Sequence, residues 1–98
     1  MIRNVVTGRL RAGAGEPERA ALDAGLAGIV ALRLPGLLRS TAGRDAGLRE
    51  GGGDFAIVGD FVDAAAYAVY DHDPEHHVHR AAIVAVCTEV TRVQFVVD

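Results

Sequence analysis

The feature that most constrains how this 98-residue chain folds is the order of its apolar periodicities. Residues 2–10 alternate as a strand does, and apolar residues between Pro17 and Pro35 then recur at helical spacing. The other alternating segments are residues 37–42, 54–61 and 90–97. With a helical region before the last of these, the order βαββαβ predicts an α+β, ferredoxin-like protomer with a four-stranded antiparallel sheet and helices on one face. We expect a single domain over residues 1–98, because a chain of this length encloses one core.

The second helical region is expected to be split in two. Asp63 is placed to cap a short helix over residues 64–70. Asp73 and Pro74 then indicate a new helix start, because aspartate caps helices and proline suits their first turn. We expect that last helix to run to about Val86.

One face of the predicted sheet has no helix to cover it, yet it carries many apolar residues. The residues assigned to this free face are Val5, Ala56, Val58, Val90 and Val96. A sheet face in contact with water is normally polar, so this face is expected to be covered. A second copy packing sheet against sheet about a two-fold axis would cover it, and we expect a homodimer.

Composition excludes several classes of partner. The net charge is −3, and the ten basic residues are arginines scattered from Arg3 to Arg92, so we expect neither a nucleic-acid partner nor a membrane partner. Cys87 is the single cysteine, which rules out an internal disulfide bond. Charges interrupt the apolar residues of segment 1–13, so it resembles neither a signal peptide nor a membrane span. We expect a cytoplasmic location.

All four histidines lie between Tyr70 and His79, which makes this segment the strongest candidate for chemistry. His72, His76 and His79 are four and three residues apart, a spacing that could place metal ligands on one face of a helix. A helix that starts at Pro74 separates His72 from the other two, so we expect no metal ion. Tyr70 and His76 remain as a pair.

Three stretches of the chain resemble the stress-responsive dimeric α/β-barrel domains, known as Dabb domains. They are residues 1–6, residues 54–61 and residues 67–76. The resemblance implies a ferredoxin-like protomer whose sheet pairs with that of a second copy to form a barrel-shaped homodimer. It also implies two kinds of function. Most Dabb domains have no assigned activity, whereas a subset similar to olivetolic acid cyclase catalyse an intramolecular aldol condensation of a poly-β-keto thioester.

In those cyclases a tyrosine lies six residues before the catalytic histidine and a proline lies two before it. Tyr70, Pro74 and His76 reproduce this spacing. The resemblance therefore implies His76 as general base and Tyr70 as hydrogen-bond donor, without a metal or organic cofactor. The chain departs from the family at Asn4, where a histidine is frequent, and at Gly8, where a larger apolar residue is common.

The charge on His76 is left open by the sequence. The first turn of a helix favours the neutral imidazole that a base requires. Asp71, Asp73 and Glu75 favour the charged form, so the pattern does not give the direction of the pKa shift.

We expect a homodimeric α/β-barrel domain that binds a small, largely apolar organic ligand between helices and sheet, or that acts as a stress-related module. The alternative is a cofactor-free polyketide cyclase, and whether the chain is an enzyme stays open. A related accessory or monooxygenase-like role in biosynthesis is a third view. A closed pocket of roughly 300 Å³, reached by the Tyr70 hydroxyl and a ring nitrogen of His76, would favour a ligand or an enzyme.

Overall fold

The computed structural model describes residues 1–98 and contains four strands and three helices. In chain order these are β1 (Ile2–Leu10), α1 (Glu16–Ala31), β2 (Leu37–Arg44), β3 (Phe55–Phe61), α2 (Ala64–His72), α3 (Pro74–Val84) and β4 (Cys87–Val96). The strands form one antiparallel sheet in the order β2-β3-β1-β4. The predicted βαββαβ order, the ferredoxin-like fold and the split of the second helical region are confirmed. None of the helices combines the length and apolar character needed to cross a membrane.

Capping interactions explain why the second helical region divides where it does. The Asp63 carboxylate accepts a hydrogen bond from the backbone N–H of Ala66 at 2.9 Å and starts α2. The Asp73 carboxylate accepts one from the backbone N–H of His76 at 2.9 Å and starts α3. Asp73 itself is extended, with φ −66° and ψ 129°, because the ring of the following proline disfavours a helical conformation there. The chain therefore turns between α2 and α3 just before His76.

The core lies between the helices and one face of the sheet. From α1 it takes Leu22, Leu26 and Ile29, which lie at helical spacing and are almost wholly buried. Strand β3 contributes Phe55, Ile57 and Phe61. At Gly8 in β1 a Cβ atom would overlap the Phe55 ring, so the space that a larger residue would take there is already filled by Phe55.

The assignment of faces in the last strand was wrong. Val90 pairs with Gly8 and Val96 with Ile2, which places both valines on the helix side of the sheet. The free face carries Val93 and Phe95 instead. Both sides of this strand contain valines, so alternation alone does not say which side faces the core, and a one-residue error reverses the answer.

With this correction the free face is still half apolar. Its apolar residues are Val5, Ala56, Val58, Val93 and Phe95. The side chains of Val93 and Phe95 are about half exposed, at 55% and 45%. The case for a covering layer is therefore as strong as the sequence indicated, although two of its five residues differ.

Candidate functional site

A cavity of about 40 Å³ lies between the helices and the helix-facing side of the sheet. Its apolar walls are Val6, Ile29, Ile57, Ile83, Val84 and Val90. Its polar walls are Asn4, Tyr67, Tyr70, Asp71, His76, Arg80 and Arg92. A water-sized group needs about 10–15 Å³, so the cavity holds about three such groups. It falls far short of the roughly 300 Å³ that would have favoured an organic ligand or an enzyme, so the size expected from the sequence is not met.

The structure brings Tyr70 and His76 together, as the sequence spacing suggested. Tyr70 lies in the last turns of α2 and His76 in the first turn of α3, so the break at Asp73 folds one against the other. Their rings stack with centroids 4.0 Å apart and planes inclined by 34°. Phe61 also packs against Tyr70, with their ring centroids 4.9 Å apart.

His76 is neutral at physiological pH. The residue is only 6% exposed, and burial, with a further contribution from the charge of Arg80, lowers its pKa to about 4. Asp71 and Asp73 oppose this shift but do not outweigh it. Burial thus decides the direction of the His76 pKa shift, which the sequence left open.

The two ring nitrogens of His76 have different surroundings. Nδ1 is fully buried and has no hydrogen-bond partner, and it is the one buried side-chain polar atom of the chain in that state. Nε2 also makes no hydrogen bond within the chain, but unlike Nδ1 it is not fully buried. An orphaned N–H in the interior is rarer than an orphaned acceptor, so we place the proton of the neutral ring on Nε2. His76 then presents an N–H donor to the cavity.

Tyr70 and Tyr67 both present hydroxyl groups near the same cavity. Burial raises the pKa of Tyr70 to about 12, so its phenol stays protonated and can donate a hydrogen bond. Burial, aided by Asp71, also raises the pKa of Tyr67. Neither hydroxyl has a hydrogen-bond partner within the chain. Tyr67 additionally packs edge-on against Phe61, with ring centroids 5.4 Å apart.

Asn4 occupies the position where the family frequently has a histidine, and it forms part of the cavity wall. Its side-chain oxygen accepts a hydrogen bond from Nε2 of Gln94 at 2.8 Å. Its own amide nitrogen has no acceptor within the chain, although the residue is only 3% exposed. Asn4 therefore adds another unused donor to the cavity.

Two arginines line the same site, and sequence reasoning missed both. Arg80 lies 3.3 Å from the Asp71 carboxylate, measured from Nη1 to Oδ1. Arg92 pairs across the sheet with Val6 and makes no hydrogen bond or ion pair within the chain. The position of Arg80, four residues after His76 on one helix, could have suggested it. Arg92 required the correct register of β4.

The other three histidines have separate neighbours. Nδ1 of His72 lies 2.9 Å from the carbonyl oxygen of Ala68, and Nε2 of His77 donates to the carbonyl of Asp71 at 2.6 Å. His79 packs over Gly28 in α1. The helix break places His72 at the end of α2, apart from the two histidines with which it was compared.

The site favours binding over proton abstraction. A general base works best when its pKa lies near the working pH, and a pKa of about 4 makes the His76 imidazole a weak base. Nε2, the more accessible ring nitrogen, also carries the proton and therefore cannot accept another. The arrangement offers a small cavity whose wall combines apolar side chains with several hydrogen-bond donors.

Solved structures resemble this fold over nearly its whole length. A dimeric ferredoxin-like protein of unknown function from Thermobifida fusca gives a TM-score of 0.85 at 26% identity, over 98% of this chain and 90% of that chain. A hydroxynitrile lyase from Passiflora edulis gives 0.78 at 15% identity, over 99% and 93% of the two chains. SnoaB, a cofactor-independent oxygenase from Streptomyces nogalater, gives 0.70 at 20% identity, over 98% and 91%. No curated protein matches the chain.

The sequence itself matches a family profile. The match covers residues 2–97, and the family is described as the stress responsive A/B barrel domain, or Dabb. Another solved Dabb protein with a ferredoxin-like fold, from Mesorhizobium loti, is similar over 97% of this chain with a TM-score of 0.74 and 23% identity. The resemblance inferred from three short stretches thus extends over nearly all residues. The chain belongs to the stress responsive A/B barrel domain family.

Proposed function

We propose that this chain is a homodimeric domain that binds a small, largely apolar organic ligand in the cavity beside His76. The observation that carries the proposal is a set of donors with no partner in the chain, facing an otherwise apolar space. The donors are Nε2 of His76, the Tyr70 hydroxyl and the Asn4 amide nitrogen, none of which is fully buried, so each is accessible to a ligand. Polar groups inside a protein are normally paired, so unused donors around a cavity are a feature of ligand sites.

The size of the cavity limits the ligand. With about 40 Å³ of free space, the buried part of the ligand amounts to about three or four heavy atoms. A linear polyketide would enter only if α2 and α3 moved away from the sheet. The small cavity therefore supports a small ligand over the cyclase alternative.

The ligand proposal can be tested by NMR, because Asn4 and Gln94 are the sole asparagine and glutamine of the chain. A set of neutral and charged fragments of up to about six heavy atoms is added to ¹⁵N-labelled protein. The side-chain amide signals of Asn4 and Gln94 are followed during the titration. We expect at least one fragment to shift the Asn4 signal at about millimolar concentration.

Val90→Phe should abolish that shift by filling the cavity, since Val90 lines it. Val78→Phe is the matched control, because Val78 is 66% exposed on the outer side of α3. The proposal fails if no fragment shifts Asn4, or if Val90→Phe binds fragments as the wild type does.

The second candidate function is a polyketide cyclase that needs no cofactor, with His76 as base and Tyr70 as donor. The stacked Tyr70–His76 pair is the observation that favours it. The solved relatives from Passiflora edulis and Streptomyces nogalater are enzymes, so the same fold accommodates catalysis in other proteins. Wild type and His76→Ala are incubated with linear poly-β-keto thioesters, and identical product profiles from the two would end this candidate.

The homodimer is proposed to form through the free face of the sheet. The half-exposed Val93 and Phe95 side chains support this, and the relative from Thermobifida fusca is dimeric. A cytoplasmic location and a stress-related role stay predictions.

A further inference from the structure

The side-chain groups of the cavity wall that have no partner within the chain are mostly hydrogen-bond donors. The oxygen of Asn4 accepts a hydrogen bond from Gln94, and Oδ1 of Asp71 accepts one from Arg80 at 3.3 Å. What remains is the imidazole N–H of His76, the hydroxyls of Tyr67 and Tyr70, and the amide nitrogen of Asn4. A ligand that pairs with these donors must supply hydrogen-bond acceptors.

The charge of the cavity wall is positive although the chain as a whole carries −3. Arg80 and Arg92 outnumber Asp71, and His76 is neutral. Arg92 has no counterion in the chain. The positive charges of Arg92 and Arg80 also act on Tyr67, whose pKa they lower against the larger effect of burial.

Resting on the function proposed above, we infer that the ligand is a short-chain aliphatic monocarboxylate, held with its carboxylate at the Arg92 and Arg80 end. Its alkyl part lies among the valines and isoleucines of the cavity, which has room for about three or four carbons. Arginine is well suited to the charged end because its planar guanidinium donates two parallel hydrogen bonds to a carboxylate.

Intrinsic fluorescence can measure this binding without a label, because the chain has two tyrosines, both at the cavity, and no tryptophan. Isobutyrate is titrated against isobutyramide, its neutral isostere, at constant ionic strength. We expect the acid anion to bind at least about tenfold more tightly than the amide, as a charge-assisted hydrogen bond requires. Binding at the cavity itself is verified by a shift of the Asn4 amide signal.

Arg92→Gln should weaken isobutyrate binding about tenfold and leave isobutyramide binding within about twofold. The substitution should not disturb folding, since the Arg92 side chain is exposed and makes no contact of its own with a counterion. Arg49→Gln is the matched control: it removes the same charge from the loop between β2 and β3 and should leave both affinities unchanged. Among linear acids, affinity should stop rising beyond about four carbons.

The outcomes separate this inference from the proposed function. If isobutyramide binds as tightly as isobutyrate, or if Arg92→Gln binds the acid as well as Arg49→Gln does, the carboxylate inference is overturned while the ligand site stands. If the acid binds without moving the Asn4 signal, the inference is also overturned. If neither compound nor any fragment binds, the proposed function fails with it.

Discussion

His76 shows how a residue's depth in the fold can outweigh its neighbours in sequence. Three acidic residues lie within five positions of it, and they would hold an exposed imidazole in its charged form. The Asp73 cap and Pro74 instead start α3 so that His76 faces inward, and its ring stacks on Tyr70 out of water. Burial then lowers the pKa to about 4 and keeps the ring neutral.

This neutral histidine should make stability depend on pH. In the unfolded chain its pKa is the ordinary value near 6.5, so between about pH 4 and 6.5 the unfolded state binds a proton that the folded state does not. The stability contributed by the neutral His76 is therefore fully present above about pH 6.5 and is lost as the pH falls toward 4. In urea unfolding at one protein concentration, the contribution of His76 to the free energy of unfolding should be about 2–3 kcal/mol lower at about pH 4.5 than at about pH 7.

In His76→Gln the part of the pH dependence that belongs to this group should disappear, because the amide does not titrate. His72→Gln is the matched control, since His72 lies exposed at the end of α2, and it should keep the wild-type slope. Equal slopes for wild type and His76→Gln would show that His76 is not held neutral by the fold.

The pairing of Tyr70 with His76 could be predicted from the sequence because both lie close together in the chain on either side of a recognisable helix start. The cavity residues contributed by the sheet, Asn4 and Arg92, could not be predicted in this way. They reach the cavity from strands nearly ninety residues apart, and only the register of β1 with β4 places them there.

At the scale of elements, α1 and α3 cross at small residues of α1. Ile83 of α3 packs over Gly25, where a Cβ atom would lie 2.5 Å from Cγ1 of Ile83 and 3.4 Å from the carbonyl oxygen of His79. The His79 ring packs over Gly28 in the same way. These glycines permit a close approach of the helices, which holds α3, and with it His76, against the sheet.

Gly25→Ala should therefore destabilise the protein although alanine is the better helix former. The gain in helix propensity is about 1 kcal/mol, whereas overlap with a packed core residue costs about 1–3 kcal/mol. Gly43→Ala is the control, because a Cβ atom there meets nothing within 4 Å, and it should change the free energy of unfolding by less than about 0.5 kcal/mol. Chemical denaturation that shows Gly25→Ala more stable than wild type would contradict this account of the helix crossing.

The sequence predicted the elements better than their limits and faces. Periodicity and caps located all seven, since they are local signals. Strand β4 begins at Cys87 rather than Val90, because Leu10 pairs with Cys87 beyond a shift of register after Arg9. Such a pairing depends on distant residues, and so does the side of the sheet that each valine of β4 faces.

At the scale of the whole molecule, the sheet has a helical layer on one face only. The free face carries an apolar stripe, defined as Val5, Ala56, Val58, Val93 and Phe95. Beside the stripe, Arg3 donates to both carboxylate oxygens of Asp60, at 2.7 and 3.1 Å. This hydrogen bonding lowers the pKa of Asp60 and leaves its charge paired, so the face can be covered without burying a lone charge.

That two copies pack through this stripe is the central claim about the molecule, and sedimentation velocity at about 10 µM tests it most directly. Phe95→Arg should break the dimer, because it places an unpaired charge in the interface directly opposite Arg3. Leu48→Arg adds the same charge at a loop residue that is 88% exposed, and it should leave assembly unchanged. We predict a dimer for wild type and Leu48→Arg, and for Phe95→Arg a dissociation constant at least about 100-fold higher. A wild-type monomer, or a Phe95→Arg protein as dimeric as the wild type, would contradict the account.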